Sequence, residues 1–144
     1  MRQKDQPPKV MMREEFQQLA DLRAEEAAVL AENGKEQGAY YLAGFAIECA
    51  LKACIAKKFK QYQYPPRAAS QYYEHNLDVL LQLADLRREL ENEMRRSPQF
   101  EKNWETVHDW DVEKRYAATG LKGAEMLTAV NSADGVLLWL KRFW

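Results

Sequence analysis

Glycine is sparse in this sequence, and its six residues, at 34, 38, 44, 120, 123 and 135, never reach the spacing of a dinucleotide fingerprint or a P-loop. Nucleotide binding by those two routes is therefore excluded. Histidine is scarcer still, with only His75 and His108, and no serine sits on a nucleophile elbow, so a Ser-His-Asp triad has no footing. Two distant histidines and two cysteines give no metal-ligand spacing, and neither a metal nor another cofactor is expected. Charge of one sign is lacking too: the net charge of -1 rules out a global basic field, so any nucleic-acid binding must use a local patch. Residues 1–9 are polar, carry Pro7 and Pro8, and hold no apolar secretory stretch.

The two cysteines, Cys49 and Cys54, lie five apart. On one helix that separates them by roughly 140° around the axis, too far to pair without unwinding it. They read as two buried thiols of a cytoplasmic protein.

What the sequence does hold is enough apolar residue for one core. At 144 residues it fits a single domain, and 47% hydrophobic against 30% charged residues is ordinary for a globular protein. Residues 1–10 read as a disordered lead-in and 11–144 as one folded unit.

Apolar periodicity through Phe16, Leu19, Leu22, Ala27 and Leu30 marks an amphipathic helix that should stop at Asn33-Gly34. The next segment is apolar all round except at Glu48 and Lys52, the mark of a helix enclosed by others over about residues 38–59. Its length approaches a membrane span, but a Glu and a Lys at its centre argue against one, and no membrane partner is expected. Pro65-Pro66 interrupts the chain in a loop rich in Tyr and Lys. Asn76 then caps a short helix carrying Leu77, Leu80 and Leu81. Residues 85–96 read as a solvated charged face, and Ser97-Pro98 starts a new helix with Phe100, Trp104 and Val107. The last helix runs from about 122 to the end, with Gly135 inside it as a close-packing point or a break. The count is four to five helices with no strand, so the expected fold is all-α: an antiparallel up-and-down bundle around a buried central helix.

Three features could carry chemistry. Glu48 and Lys52 lie one turn apart on the apolar helix. Buried charges are costly unless paired, so the two either form a structural ion pair or line a polar site, with their charged ends near each other, His75, Arg115 or Tyr116. His75, just before a helix start, either joins a capping network or transfers protons and contacts phosphate. In the stretch 110–116, Trp110, Glu113, Arg115 and Tyr116 combine stacking surface with a guanidinium; they either recognise phosphate and base or close the bundle. The polar site is thus expected at Glu48, Lys52, His75, Glu113, Arg115 and Tyr116. In the loop 57–73, Lys57, Lys58, Lys60 and Arg67 alternate with Tyr62, Tyr64, Tyr72 and Tyr73, the pattern of a single-strand binding patch or of tyrosines packed over the bundle end. Apolar residues persist to the terminus through Leu137, Leu138, Trp139, Leu140, Phe143 and Trp144, more faces than one core covers, and a homodimer is expected.

The run AYYLAGFAIECALKA at 39–53, followed by His75-Asn76-Leu77 with Leu80-Leu81, then Trp104, Val107, Trp110 and Glu113-Lys114-Arg115-Tyr116, resembles the bacterial HEPN (higher eukaryotes and prokaryotes nucleotide-binding) domain family over about residues 16–143. The resemblance implies a helical bundle, commonly a homodimer, often encoded beside a minimal nucleotidyltransferase and associated with toxin-antitoxin or phage-defence systems. Many such proteins are metal-independent ribonucleases with an Arg and a His four to six residues apart. Here no Arg precedes a His at that spacing: Arg67 and His75 are separated by seven residues. The expectation is accordingly a dimeric component that binds a nucleotide, RNA or a partner protein without catalysis. The alternative is an RNA-cleaving toxin that uses His75 and Arg115 in an unconventional arrangement.

Overall fold

The computed structural model describes residues 10–66 and 69–144, so the lead-in through Lys9 and the basic residue Arg67 lie outside the described residues. Seven α-helices occur among them: α1 Arg13–Glu32, α2 Glu36–Ala56, α3 Leu77–Leu83, α4 Arg87–Arg96, α5 Pro98–His108, α6 Gly123–Asn131 and α7 Val136–Leu140. Single 3-10 turns fall at Lys60–Tyr62, Ser70–Tyr72 and Val112–Tyr116. No strand forms among the described residues; the one extended pairing is an isolated bridge between Met12 and Gln63.

The fold is an all-α bundle around α2. Along that helix Ala43, Ala46, Ile47, Ala50, Leu51, Ala53, Ile55 and Ala56 are fully buried. Six alanines on one helix let the neighbours approach closely, and α1, α3, α6, α7 and the 112–116 turn all pack against it. Burying each of Ile47, Leu51 and Ile55 contributes roughly 1.5–3 kcal/mol. By length and composition α2 could cross a bilayer, yet 78% of its most apolar window is enclosed by this domain.

Local signals set most boundaries. The first helix ends where Gly34 takes a left-handed φ of 70° and Lys35 N–H donates to the Leu30 carbonyl at 2.8 Å. Asn76 Oδ1 accepts from Val79 N–H at 3.2 Å and Ser97 Oγ from Phe100 N–H at 3.1 Å, with Pro98 opening α5.

Two segments divide more finely than expected. The charged stretch 85–96 holds a helix of its own, α4, anchored by buried Leu90 and by Glu93, which pairs with Arg96 and Arg142. The last helix breaks between Asn131 and Val136, because buried Asn103 of α5 donates to the Asp134 carbonyl at 2.9 Å and to Ser132 Oγ at 3.4 Å, holding a turn there. That turn folds α7 back onto α2, α5 and α6. Leu137, Trp139 and Leu140 are buried, Phe143 and Trp144 pack against the core, and Leu138 alone is exposed. Most of the apolar surplus from which a twofold partner was expected is thus covered within the chain, with Leu138 left in solvent.

Candidate functional site

Glu48 is the charged residue most deeply enclosed in the bundle, 2% exposed on α2. Lys52 Nζ lies 3.3 Å from its Oε2, as the one-turn spacing dictates. His75 arrives from the loop before α3 and sets Nδ1 3.0 Å from Oε1 and 3.1 Å from Oε2. One carboxylate is therefore held by two basic groups. The Lys52 side chain is 11% exposed and that of His75 43%, so the cluster reaches from the core to the surface.

The His75 backbone is fixed by its own neighbours. Glu74 Oε1 accepts the N–H of His75 at 3.0 Å and of Asn76 at 2.9 Å, and Asn76 in turn caps α3. The Asn76 N–H, with help from His75 and Lys52, holds the Glu74 carboxyl below its usual range. The negative field of Glu48 spreads outward: burial first and Glu48 second push the Cys49 thiol up to about 12 and raise the Tyr64 and Tyr41 hydroxyls above their ordinary value.

Beside this cluster lies a cavity of about 460 Å³ lined by Phe16, Lys52, Tyr64, Pro65, Tyr72 and Tyr73, with the chain at Val10 and Met11 on its border. Tyr64 is locked in place by donating its hydroxyl to the Tyr72 carbonyl at 2.6 Å, by packing on Phe16 at 5.2 Å, and by Lys52 Nζ 5.8 Å from its ring centre. Tyr73 is more than half exposed and meets His75 edge-on at 6.1 Å. Tyr73 and the Lys52-Glu48 pair thus both join the cavity to the imidazole.

The stretch 110–116 divides between structure and surface. Trp110 is buried and no stacking platform: its ring fills the space a Cβ at Gly44 would need, and its Nε1–H donates to the Tyr41 carbonyl at 3.1 Å. Arg115 makes no bond to the cluster among the described residues; it shares with Glu48 only an electrostatic influence on the Tyr41 hydroxyl, whose pKa Glu48 raises and Arg115 lowers. The Arg115 guanidinium lies 4.9 Å from the Tyr116 ring centre, and Tyr116 is 72% exposed. The neighbouring Tyr116 pushes Arg115 further above its ordinary value. Glu113 stays on the exposed side of the turn, its N–H bound to Asp111 Oδ1 at 2.8 Å. Of the six expected site residues, Glu48, Lys52 and His75 meet directly, while Arg115, Glu113 and Tyr116 make no bond to the cluster among the described residues.

The basic loop does not form the alternating surface. Tyr64 and Tyr72 turn inward, Tyr72 edge-on to Phe59 at 5.3 Å, because burying their rings against Phe16 and Phe59 outweighs leaving them in water. Tyr62 is covered by the Arg13 guanidinium at 4.2 Å. Lys58 ties the loop to the end of α3, donating to the Leu83 carbonyl at 3.0 Å and pairing with Asp85. Lys57 and Lys60 remain exposed, while Arg67 lies outside the described residues. No group of three His, Cys, Asp or Glu side chains among the described residues is placed to hold a metal.

Tyr41 and Glu74 escape a reading of the sequence alone. Tyr41 had one signal: it lies seven residues before Glu48, two turns along the same face of α2. Comparison with protein-family models, curated proteins and solved structures finds no match to this chain.

Proposed function

We propose that this chain is a HEPN-like helical protein that binds single-stranded RNA at the Glu48-Lys52-His75 cluster, as a dimeric component of a bacterial toxin-antitoxin or defence system with a minimal nucleotidyltransferase as protein partner. The observation that supports this reading is a buried carboxylate held between two basic groups at the edge of an aromatic cavity. A buried ion cluster is a poor device for stability alone, since well-packed apolar residues of the same volume often do as well. Lys52 has three N–H donors and spends one on Glu48, and the half-exposed His75 ring is held by Nδ1 only, so donors are left for an acceptor-rich ligand. Arg115 stacked on exposed Tyr116 adds a guanidinium and a ring, groups that suit phosphate and base. Fluorescence anisotropy with a labelled single-stranded RNA of about twelve nucleotides, against a duplex of equal length, tests it. Preferential binding of the single strand that weakens steeply with salt is expected; no binding of either at low salt would contradict it.

A second reading, RNA cleavage, is favoured by one observation: Glu48 grips Nδ1 of His75 and leaves Nε2 without a bond among the described residues. A carboxylate so placed orients an imidazole for proton transfer. The Nε2 atom would take the proton of a ribose 2′-hydroxyl as it attacks the adjacent phosphate; a 2′,3′-cyclic phosphate forms, the P–O5′ bond breaks, and the leaving 5′-oxygen takes a proton from water. Incubating RNA with the protein in the presence of a chelator decides between them: cleavage abolished by His75→Ala supports the nuclease, and intact RNA supports the binder.

A further inference from the structure

The cavity beside Lys52 has a wall chemistry more selective than a general anion site. Phe16, Tyr64, Tyr72, Tyr73 and Pro65 supply flat apolar surface, and Lys52 is the one charged side chain on the lining among the described residues. That lysine is not a free cation. Its charge is offset by Glu48 at 3.3 Å, and Glu74 lies close enough for the two charges to act on each other. An incoming phosphate would meet that carboxylate pair as well as the ammonium, and gain little. A neutral planar ring with an exocyclic oxygen meets no such repulsion. It can stack on tyrosine and accept one of the two ammonium hydrogens that Glu48 leaves over. A space of about 460 Å³ lies within the range of small-molecule pockets and admits such a ring.

We propose that this cavity is the pocket for one unstacked base of a single-stranded RNA, held between tyrosine rings with Lys52 donating to a base oxygen. The proposal rests on the RNA-binding reading above and adds where and how the strand is held. Tyr73 lines the pocket and touches His75, so the sugar and phosphate of the inserted nucleotide fall on the His75 side of that ring. The flanking phosphates then come within reach of the surface, where Lys57 and Lys60 are exposed and not engaged in any ion pair among the described residues.

Two strands of about twelve residues separate the base from the backbone: an ordinary RNA and one of the same length whose central nucleotides are abasic, with identical phosphates. Anisotropy at fixed salt should show the ordinary strand binding at least about tenfold tighter, the effect of losing one stacked base. Tyr73→Ala, chosen because the ring is more than half exposed, should bring that ratio close to one, read only if the variant melts cooperatively. Lys52→Met should narrow it as well, read only if the variant melts cooperatively. Equal affinity for the two strands, with steep salt dependence kept, would overturn the base pocket and leave RNA binding standing. Failure of both strands to bind at low salt would overturn both.

Discussion

At the scale of single residues, Glu48 sets the energetics of the site. Its carboxylate is enclosed and shared by Lys52 and His75, so removing Lys52 leaves a buried charge with one partner in place of two. Lys52→Ala should cost about 3 kcal/mol by urea denaturation. The double variant Glu48→Gln/Lys52→Met should lose less than the sum of its single changes, because the charge that needs a partner is gone. A loss under about 1 kcal/mol for Lys52→Ala would mark a solvated pair and contradict this placement. The buried thiols supply a second residue-scale outcome. Burial disfavours the thiolate and pushes Cys49 and Cys54 from an ordinary value of 9.0 up to about 12 in the fold. A raised folded value lends stability that is complete below the unfolded one, so this contribution holds below pH 9 and fades as pH climbs towards 12. Both thiols should resist a thiol-specific disulfide reagent at pH 8 until urea is added; rapid labelling of the native protein would contradict their burial. Glu48 and Lys52 were legible because charge in an all-apolar run stands out. Tyr41 was not, since a tyrosine on a helix with apolar residues on every side reads as core until its hydroxyl is placed in the field of Glu48 and Arg115.

At the scale of elements, the bundle depends on close approach to α2, and Gly44 with Trp110 is its tightest example. Ala ordinarily improves a helix interior by about 1 kcal/mol over Gly. Here the added Cβ would collide with the indole ring, so Gly44→Ala should instead destabilise by about 1–3 kcal/mol. Adding Trp110→Ala to Gly44→Ala should cost less than the two separate losses together, because the collision disappears with the ring. A Gly44→Ala variant as stable as the parent would show that Trp110 does not fill that space. The helix starts at Asn76 and Ser97-Pro98 and the stop at Asn33-Gly34 could be read locally, since each signal sits within a turn of the boundary it sets. The break between α6 and α7 could not. It is held by Asn103, about thirty residues upstream in the chain, and no periodicity in the last apolar run announces it. The loop tyrosines were ambiguous for the same reason: whether Tyr64 turns in or out is decided by Phe16, which lies far from it in sequence.

At the scale of the whole molecule, a net charge of -1 leaves little long-range attraction for RNA, and the electrostatic part of binding must come from a few exposed groups. Lys57→Gln/Lys60→Gln should lower the slope of log affinity against log salt by about 1.4, roughly 0.7 for each phosphate no longer neutralised. Its thermal midpoint should stay unchanged, as both side chains stand in solvent. An unchanged slope would place the strand elsewhere. The proposed dimer should appear in light scattering at micromolar concentration as twice the 16.8 kDa chain mass; a single chain mass would remove it. The site itself is tested most directly by amide chemical-shift mapping of the labelled protein titrated with single-stranded RNA. Shifts should concentrate at residues 63–64 and 72–76 and around Lys52, with Trp110 unmoved. Shifts confined to α4 or α5, or none at saturating RNA, would contradict the assignment of the Glu48-Lys52-His75 cluster and its cavity as the binding site.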